Sequence, residues 1–309
     1  MLTPDTFLLI LYVLVDDFCK DHLPTQTRPG PVASLDRSEI ITLAVFSQWR
    51  QFQSERTFYR YAMRHLRSAF PTLPVRSQYN RLVRHHTCEI TAFFLHLVDL
   101  LGADHAPYEA LDGTAVVIRN AKRRGEGWLA GQADIGYSNR LGWYEGFYLL
   151  GSVTPEGVLT GFGFAPASTK DQTAAETFFA ARANRAPGLL CVGKTHPEYY
   201  VCDKGFEGEK RHLQWAHTYG AVVVCAPKRN TAKRHWPKAL RRWLASLRQI
   251  VESVNHCLHD FLRLDSERPH ALDGFQARLA ATCALHNVCI WLNRQLGRPH
   301  LAFAELIDW

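Results

Sequence analysis

The sequence predicts a mixed α/β fold, a sheet flanked by helices, preceded by an all-helical module. Three observations predict it. Residues 3–101 carry apolar side chains at helical spacing with short connections between runs. After residue 105 the texture turns to β-rich runs, two of them separated by only Thr154-Pro155-Glu156. From residue 171 onward helical and strand patterns alternate, which argues for a mixed sheet covered by helices. The boundary falls at the change in texture, giving a helical module over 1–105 and an α/β domain over 106–309.

Taken in order, residues 3–23 form an amphipathic pattern of Phe7, Leu8, Leu11, Leu14, Val15 and Phe18, opened by Thr3 or Asp5. The Pro- and Gly-rich stretch 24–31 reads as a loop. Ser34 or Asp36 opens a second helix, and Glu39 stands at capping-box distance from Asp36. A third helix covers about 55–66, a fourth starts near Ser77, and a longer apolar one covers about 89–101. The fourth, SQYNRLVRHH, carries Gln78, Asn80, Arg81, Arg84 and His85, side chains of the types that read base edges and phosphates. It reads either as the recognition element of a helix-turn-helix-like module or as a solvated helix face.

The strand-rich part begins with 108–120, YEALDGTAVVIRN, in which Asp112-Gly113 interrupts an apolar run. Runs at 143–153 and 157–165 follow as a hairpin, then a helix from Asp171 or Thr173 to about 184. A strand at 198–205 ends on Asp203; a helix over 208–219, a short strand at 221–226 and two long helices, about 238–262 and 272–296, complete the chain. Five strands are therefore expected.

A formal charge of +7 favours a polyanionic partner, while 47% hydrophobic and 21% charged residues exclude a disordered chain. Eight scattered cysteines with no CxxC pair point to free thiols in a reducing cytoplasm. Cys283, His286 and Cys289 recur at three-residue steps on one helix, which suits packing better than a closed tetrahedral zinc site. The apolar residues 7–15 are too few to span a bilayer and run into Asp16-Asp17, so no membrane partner is expected.

A carboxylate within a buried strand is costly unless it is paired or bound to a cation. Asp112 and Asp203 end two strands in this way, and carboxylates delivered to one sheet edge suit a divalent metal. The alternative for Asp112 is a solvated turn. On the helix over 238–262, Arg248, Glu252, Asn255 and His259 recur at i, i+4, i+7 and i+11 and share one face, either as site residues or as a surface ion pair with polar neighbours. Asp134 and Asp171 read as loop or capping residues.

LDGT at 111–114, DKGFEG at 203–208 and R-x-x-x-E with Asn255 at 248–255 resemble the motifs of DDE-class transposases of bacterial insertion sequences. GWLAGQADIGYS (127–138), YEGFYLLGSVTPEGVLTGF (144–162), APAS-x-x-D (165–171) and CALHN (283–287) are similar to insertion-sequence family 982 in particular. The resemblance covers nearly the whole chain. It implies a ribonuclease H-like catalytic domain in which Asp112, Asp203 and Glu252 hold two Mg²⁺ or Mn²⁺ ions for phosphoryl transfer. The partners implied are double-stranded DNA, as terminal inverted repeats and target, and a homodimer or higher oligomer assembled on it. A cytoplasmic, nucleoid-associated location follows. The sequence departs from related elements at Ala245, His259 and Phe206, where Tyr, Lys and Tyr are common.

Lys228, Arg229, Lys233, Arg234, Trp236, Arg241 and Arg242 lie in a stretch without acids that leads into the Glu252 helix. With Arg81, Arg84, Arg248, Asn255 and His259 they are the candidate DNA contacts, the basic residues for phosphates and Trp236 for an unstacked base. Lys122-Arg123-Arg124 is a weaker candidate of the same kind. The competing readings are a catalytically inactive, domesticated DNA-binding protein of the same fold and a structure-selective nuclease.

Overall fold

The computed structural model describes residues 1–24, 33–119, 129, 131–184, 191–192, 196–227, 236–266 and 270–309. The chain forms two compact units: Met1–Leu97 with Cys257–Trp309, and Val98–His256.

The first unit is helical. Helix α1 (Pro4–His22) starts where sequence places it: Thr3 caps it by accepting from the Thr6 amide at 3.2 Å, and Pro4 occupies the first turn. Its buried stripe is Phe7, Leu8, Leu11, Val15 and Phe18. Helix α2 (Arg37–Phe46) has the reciprocal capping box, Asp36 accepting from the Glu39 amide at 2.7 Å and Glu39 from the Asp36 amide at 2.8 Å. Helix α3 (Glu55–Tyr61) runs into a π turn, Ala62–Leu66. Helices α4 (Arg76–His85) and α5 (Thr87–Leu100) follow.

The last helix, α9 (Leu272–Gln295), packs on α2 and α4 and is buried on every side over residues 279–290. A helix apolar all round belongs at the centre of a core. Cys283, His286 and Cys289 lie on it fully buried, His286 against the Phe303 ring at 5.2 Å, so packing is their role here. Trp309 joins the rings of Phe46, Trp49 and Phe52 within 6.0 Å, which ties the C-terminus to the N-terminal helices. The compact helical unit is thus drawn from both ends of the chain, whereas the textural boundary predicted from sequence lies at 105.

The second unit is a mixed sheet with helices on both faces. Its strands are β1 (Tyr108–Arg119), β2 (Asp134–Ser138), β3 (Gly142–Val153), β4 (Leu159–Pro166), β5 (Cys191–Val192), β6 (Tyr199–Cys202) and β7 (Val223–Cys225). The order is β5-β4-β3-β1-β6-β7, with β2 on β3. β3 and β4 form the expected antiparallel hairpin, and β1, β6 and β7 run parallel. Among the described residues there are seven strands, against the five expected. The two additions are short: β5 is a two-residue edge, and β2 completes a hairpin with the start of β3 whose outward face bears Ile135 and Tyr137 rather than a core pattern.

Helices α6 (Asp171–Asn184) and α7 (Glu209–Tyr219) cover one face, where Phe178, Phe179 and Trp215 meet Leu111, Leu150, Tyr200 and Cys202. On the other face Leu244 and Leu247 of α8 (Lys238–Asp260) pack with Val201, Ala226 and Trp236. Because strand side chains alternate, Leu111 and Cys202 face α6 and α7, and Asp112 belongs to the side of α8. No helix among the described residues is long and apolar enough to cross a membrane.

Candidate active site and basic cavity

The parallel register of β1 and β6 ends at Leu111 opposite Cys202, so Asp112 and Asp203 are the next residues on two adjacent parallel strands. β1 continues against β3, while β6 stops and Asp203 caps a short 3-10 turn, Lys204–Phe206. Each carboxylate is steadied by a nearby amide. Asp112 accepts from Gly113 N at 2.8 Å and Asp203 from Gly205 N at 2.5 Å. Arg248 of α8 donates Nη2 to Asp112 Oδ2 at 3.0 Å. Burial pushes the Asp112 carboxyl up to about 6 against the opposing pull of Arg248 and the Gly113 amide; Asp203 and Asp171 add to the rise.

Asp171 is the acid that sequence reasoning set aside as a loop or capping residue. It opens α6, yet its carboxylate reaches the same place: a Cβ on Gly205 would lie 1.9 Å from Asp171 Oδ2 and 2.8 Å from Asp203 Oδ1. A side chain there would have to displace one of the two carboxylates that close over the Gly205 backbone. Tyr148 of β3 is the other missed residue. Its hydroxyl is hydrogen-bonded to Asp171, and burial, then Asp171, Asp112 and Asp203, raise its ionisation well above the usual range. A Cβ on Gly113 would overlap the Tyr148 ring at 2.0 Å, so the glycine of the LDGT motif makes room for that ring. The available signal was the pair of glycines, one after each strand acid. Asp134, by contrast, accepts from the Ser168 amide at 2.8 Å and from its hydroxyl, and acts as a loop tie.

Glu252 is exposed on α8, one helical turn beyond Arg248, with Asn255 half-buried further along. His259 is buried against Asp265 at 2.7 Å and offers no surface to a phosphate. Trp236 is half-buried against Val201, Ala226 and Leu244, while Arg241 and Arg242 are exposed. Lys228, Arg229, Lys233 and Arg234 fall outside the described residues, as do Lys122, Arg123 and Arg124. Among the described residues no three His, Cys, Asp or Glu side chains are arranged to hold a metal ion. The acids that do converge offer oxygen donors only, the set that hard divalent cations take.

In the helical unit Arg81 and Arg84 line a cavity of about 630 Å³ together with Arg56, Arg76, Arg263 and Arg278. α4 turns Tyr79 and Val83 inward, which leaves Gln78, Arg81 and His85 exposed. Arg84 is held by Asp273 of α9 at 3.2 Å, and Arg76 stands 3.6 Å from Glu55. Among the described residues Glu55 is the one acid in the lining, against six arginines.

A mixed sheet with helices on both faces, presenting carboxylates just past adjacent parallel strands, defines an α/β architecture with an acidic site at one edge of the sheet. The family described as transposase DDE domain matches residues 110–288, more than half the chain, and the chain belongs to that family. It is a DDE transposase, a nuclease-type enzyme with DNA as partner, in a family that is generally dependent on divalent metal. No curated protein and no solved structure matches the chain.

Proposed function

We propose that this chain is the transposase of an insertion sequence of the family 982 kind, cutting element ends and joining them to target DNA at Asp112, Asp203 and Glu252. The observation that carries this reading is the delivery of Asp112 and Asp203 by adjacent parallel strands to one edge of the sheet. That arrangement, with α8 bringing Arg248 onto Asp112, is the reason to read the domain as ribonuclease H-like.

In this reading Asp112 and Asp203 hold divalent cations, Mg²⁺ or Mn²⁺, and Glu252 completes the set from α8. Two such ions, when bound, stabilise the attacking and leaving oxygens of an in-line displacement at phosphorus. Arg248 pairs with Asp112, and its guanidinium is of the type that would also hold a DNA phosphate beside the acids. Gly113 and Gly205 amides fix the carboxylate orientations. Asp171 and Tyr148 border the acids and keep the middle of β3 and the start of α6 in place beside them.

The helical unit, with its helix-turn-helix-like α3 and α4, holds the terminal repeats of the element, Arg81 and Arg84 placing the phosphate backbone in the basic cavity. Arg241, Arg242 and the basic residues before α8 track target or end DNA, and two or more copies assemble on it. Acting on DNA in a bacterium, the protein works in the cytoplasm at the nucleoid. The Arg248–Asp112 ion pair favours one second reading, a DNA-binding protein of the same fold that no longer cleaves.

The test is cleavage of supercoiled DNA carrying the element ends in Mg²⁺. Asp112→Asn, Asp203→Asn and Glu252→Gln should each abolish cleavage and leave binding of end DNA intact. Full cleavage by any one variant removes that residue from the site, and a wild-type protein that binds ends without cutting them establishes the second reading.

A further inference from the structure

Beside the acid cluster lies a recess of about 580 Å³ between the β2–β3 ribbon and the loop leading into α6. Asp171 and Gly205 are part of its lining, and Gly205 is the residue over which the Asp171 and Asp203 carboxylates close. Its outer wall is aromatic. Tyr137 and Trp143 are directly opposed cross-strand partners, their rings 5.5 Å apart and edge-on, and Ile135 stands two residues before Tyr137 on the same face. All three are exposed, Trp143 at 70% and Tyr137 at 61%.

Two large rings at the mouth of a recess, left in water, mark a surface made for a partner. The loop supplies Ser168, Thr169 and the exposed Lys170, a cation for a phosphate, along the rim. Volume and lining suit one small planar group with an attached anion. In paired DNA the bases already stack on one another and show no free face, so the group that fits is a base outside the helix. A base needs no sequence-specific partner here, because every base has a π-face.

We propose that this recess is a subsite for one unpaired base of the DNA strand held at the acid cluster, stacked on Trp143 and Tyr137 with its phosphate beside Lys170. The proposal rests on the reading of the acids as the strand-cutting site and specifies the substrate form taken there: an end opened by at least one nucleotide. Trp143 and Tyr137 are positioning residues in this account. They receive the base next to the bond to be broken and leave the carboxylates to the chemistry.

The experiment measures binding of the full chain, in chelator so that nothing is cut, to two synthetic duplexes. One is fully paired; the other has a single-stranded extension of a few nucleotides containing 2-aminopurine, whose fluorescence falls on stacking. Wild-type protein should quench the probe. Trp143→Ala should restore the fluorescence and weaken binding of the extended duplex by about 5- to 140-fold, the equivalent of ~1–3 kcal/mol for one stacked base, with paired-duplex affinity unchanged. Trp143→Phe, which keeps a stacking ring, should retain most of both signals. Equal losses on the two duplexes, or no loss and no change in quenching in Trp143→Ala, overturn the proposal. The strand-cutting reading is tested separately by cleavage in the Asp112→Asn variant, so failure of one is distinguishable from failure of the other.

Discussion

Arg182 offers the sharpest perturbation of the scaffold beneath the acids. It lies on α6 with its guanidinium fully buried, donating from Nη1 to Glu109 Oε2 of β1 at 2.7 Å and to the Tyr200 hydroxyl of β6 at 2.6 Å, and from Nη2 to Thr160 Oγ1 of β4 at 3.1 Å. Glu109 is itself buried and otherwise accepts from the Ser152 hydroxyl of β3. Glu109 and Tyr200 are register partners, three residues before Asp112 and Asp203 respectively. One side chain therefore ties together the strands that carry both acids.

Replacing Arg182 by Met keeps the bulk near Phe178 but strands the Glu109 carboxylate in the core, which should cost about 3–5 kcal/mol. At ~2–4 °C per kcal/mol for a unit of this size, the melting temperature should fall by about 6–20 °C. Glu109→Gln together with Arg182→Met removes both charges and should recover a large part of that loss. Because the chain has two compact units, hydrogen exchange at the β1 and β6 amides should accompany the melt, and protection should drop there first. A single variant that costs under about 1 kcal/mol, or a double variant that is the plain sum of the two singles, refutes the idea that this pair is coupled.

Three further outcomes follow from the same structure. Gly205→Ala should leave the fold intact and lower cleavage strongly, because its Cβ would displace the Asp171 or Asp203 carboxylate; wild-type turnover in that variant would show that the two acids need not approach so closely. Neutralising Arg81 and Arg84 to Gln should weaken binding to all DNA sequences alike and reduce the log–log salt slope by roughly one unit per lost phosphate contact, and an unchanged slope would remove the basic cavity from the DNA path. Burial, reinforced by Arg182 and opposed by Glu109, lowers the His196 imidazole from its ordinary 6.5 to about 4. The unfolded chain therefore takes up this proton first, so the stability contributed by neutral His196 should be full above pH 6.5 and be lost as the pH drops toward 4; relative to the wild type, the His196→Asn variant should lose less stability in denaturant titrations across that window.

Much of the architecture was legible because it is local. The Asp36–Glu39 capping box, the Thr3 cap and the apolar stripes of α1 and α8 act within a few residues, and each helix begins or runs where those signals place it. The β3–β4 hairpin was readable from two β-rich runs and a three-residue break, and the strand acids from a charge among apolar residues. β2 escaped because five residues with an outward aromatic face carry no core pattern.

What the chain brings together across long separations was decided only by the tertiary structure. Asp171 reaches Asp203 through the placement of α6 at the sheet edge, which no spacing within 165–171 reveals. Trp236, read from sequence as a ring for an unstacked base, packs half-buried against Val201, Ala226 and Leu244, while Trp143, assigned no site role from sequence, stands exposed. The C-terminal helix completes the N-terminal unit and lines the arginine cavity for the same reason. Periodicity tells which face of an element is apolar, but only the order of strands and the packing of helices on them determine which other face it meets.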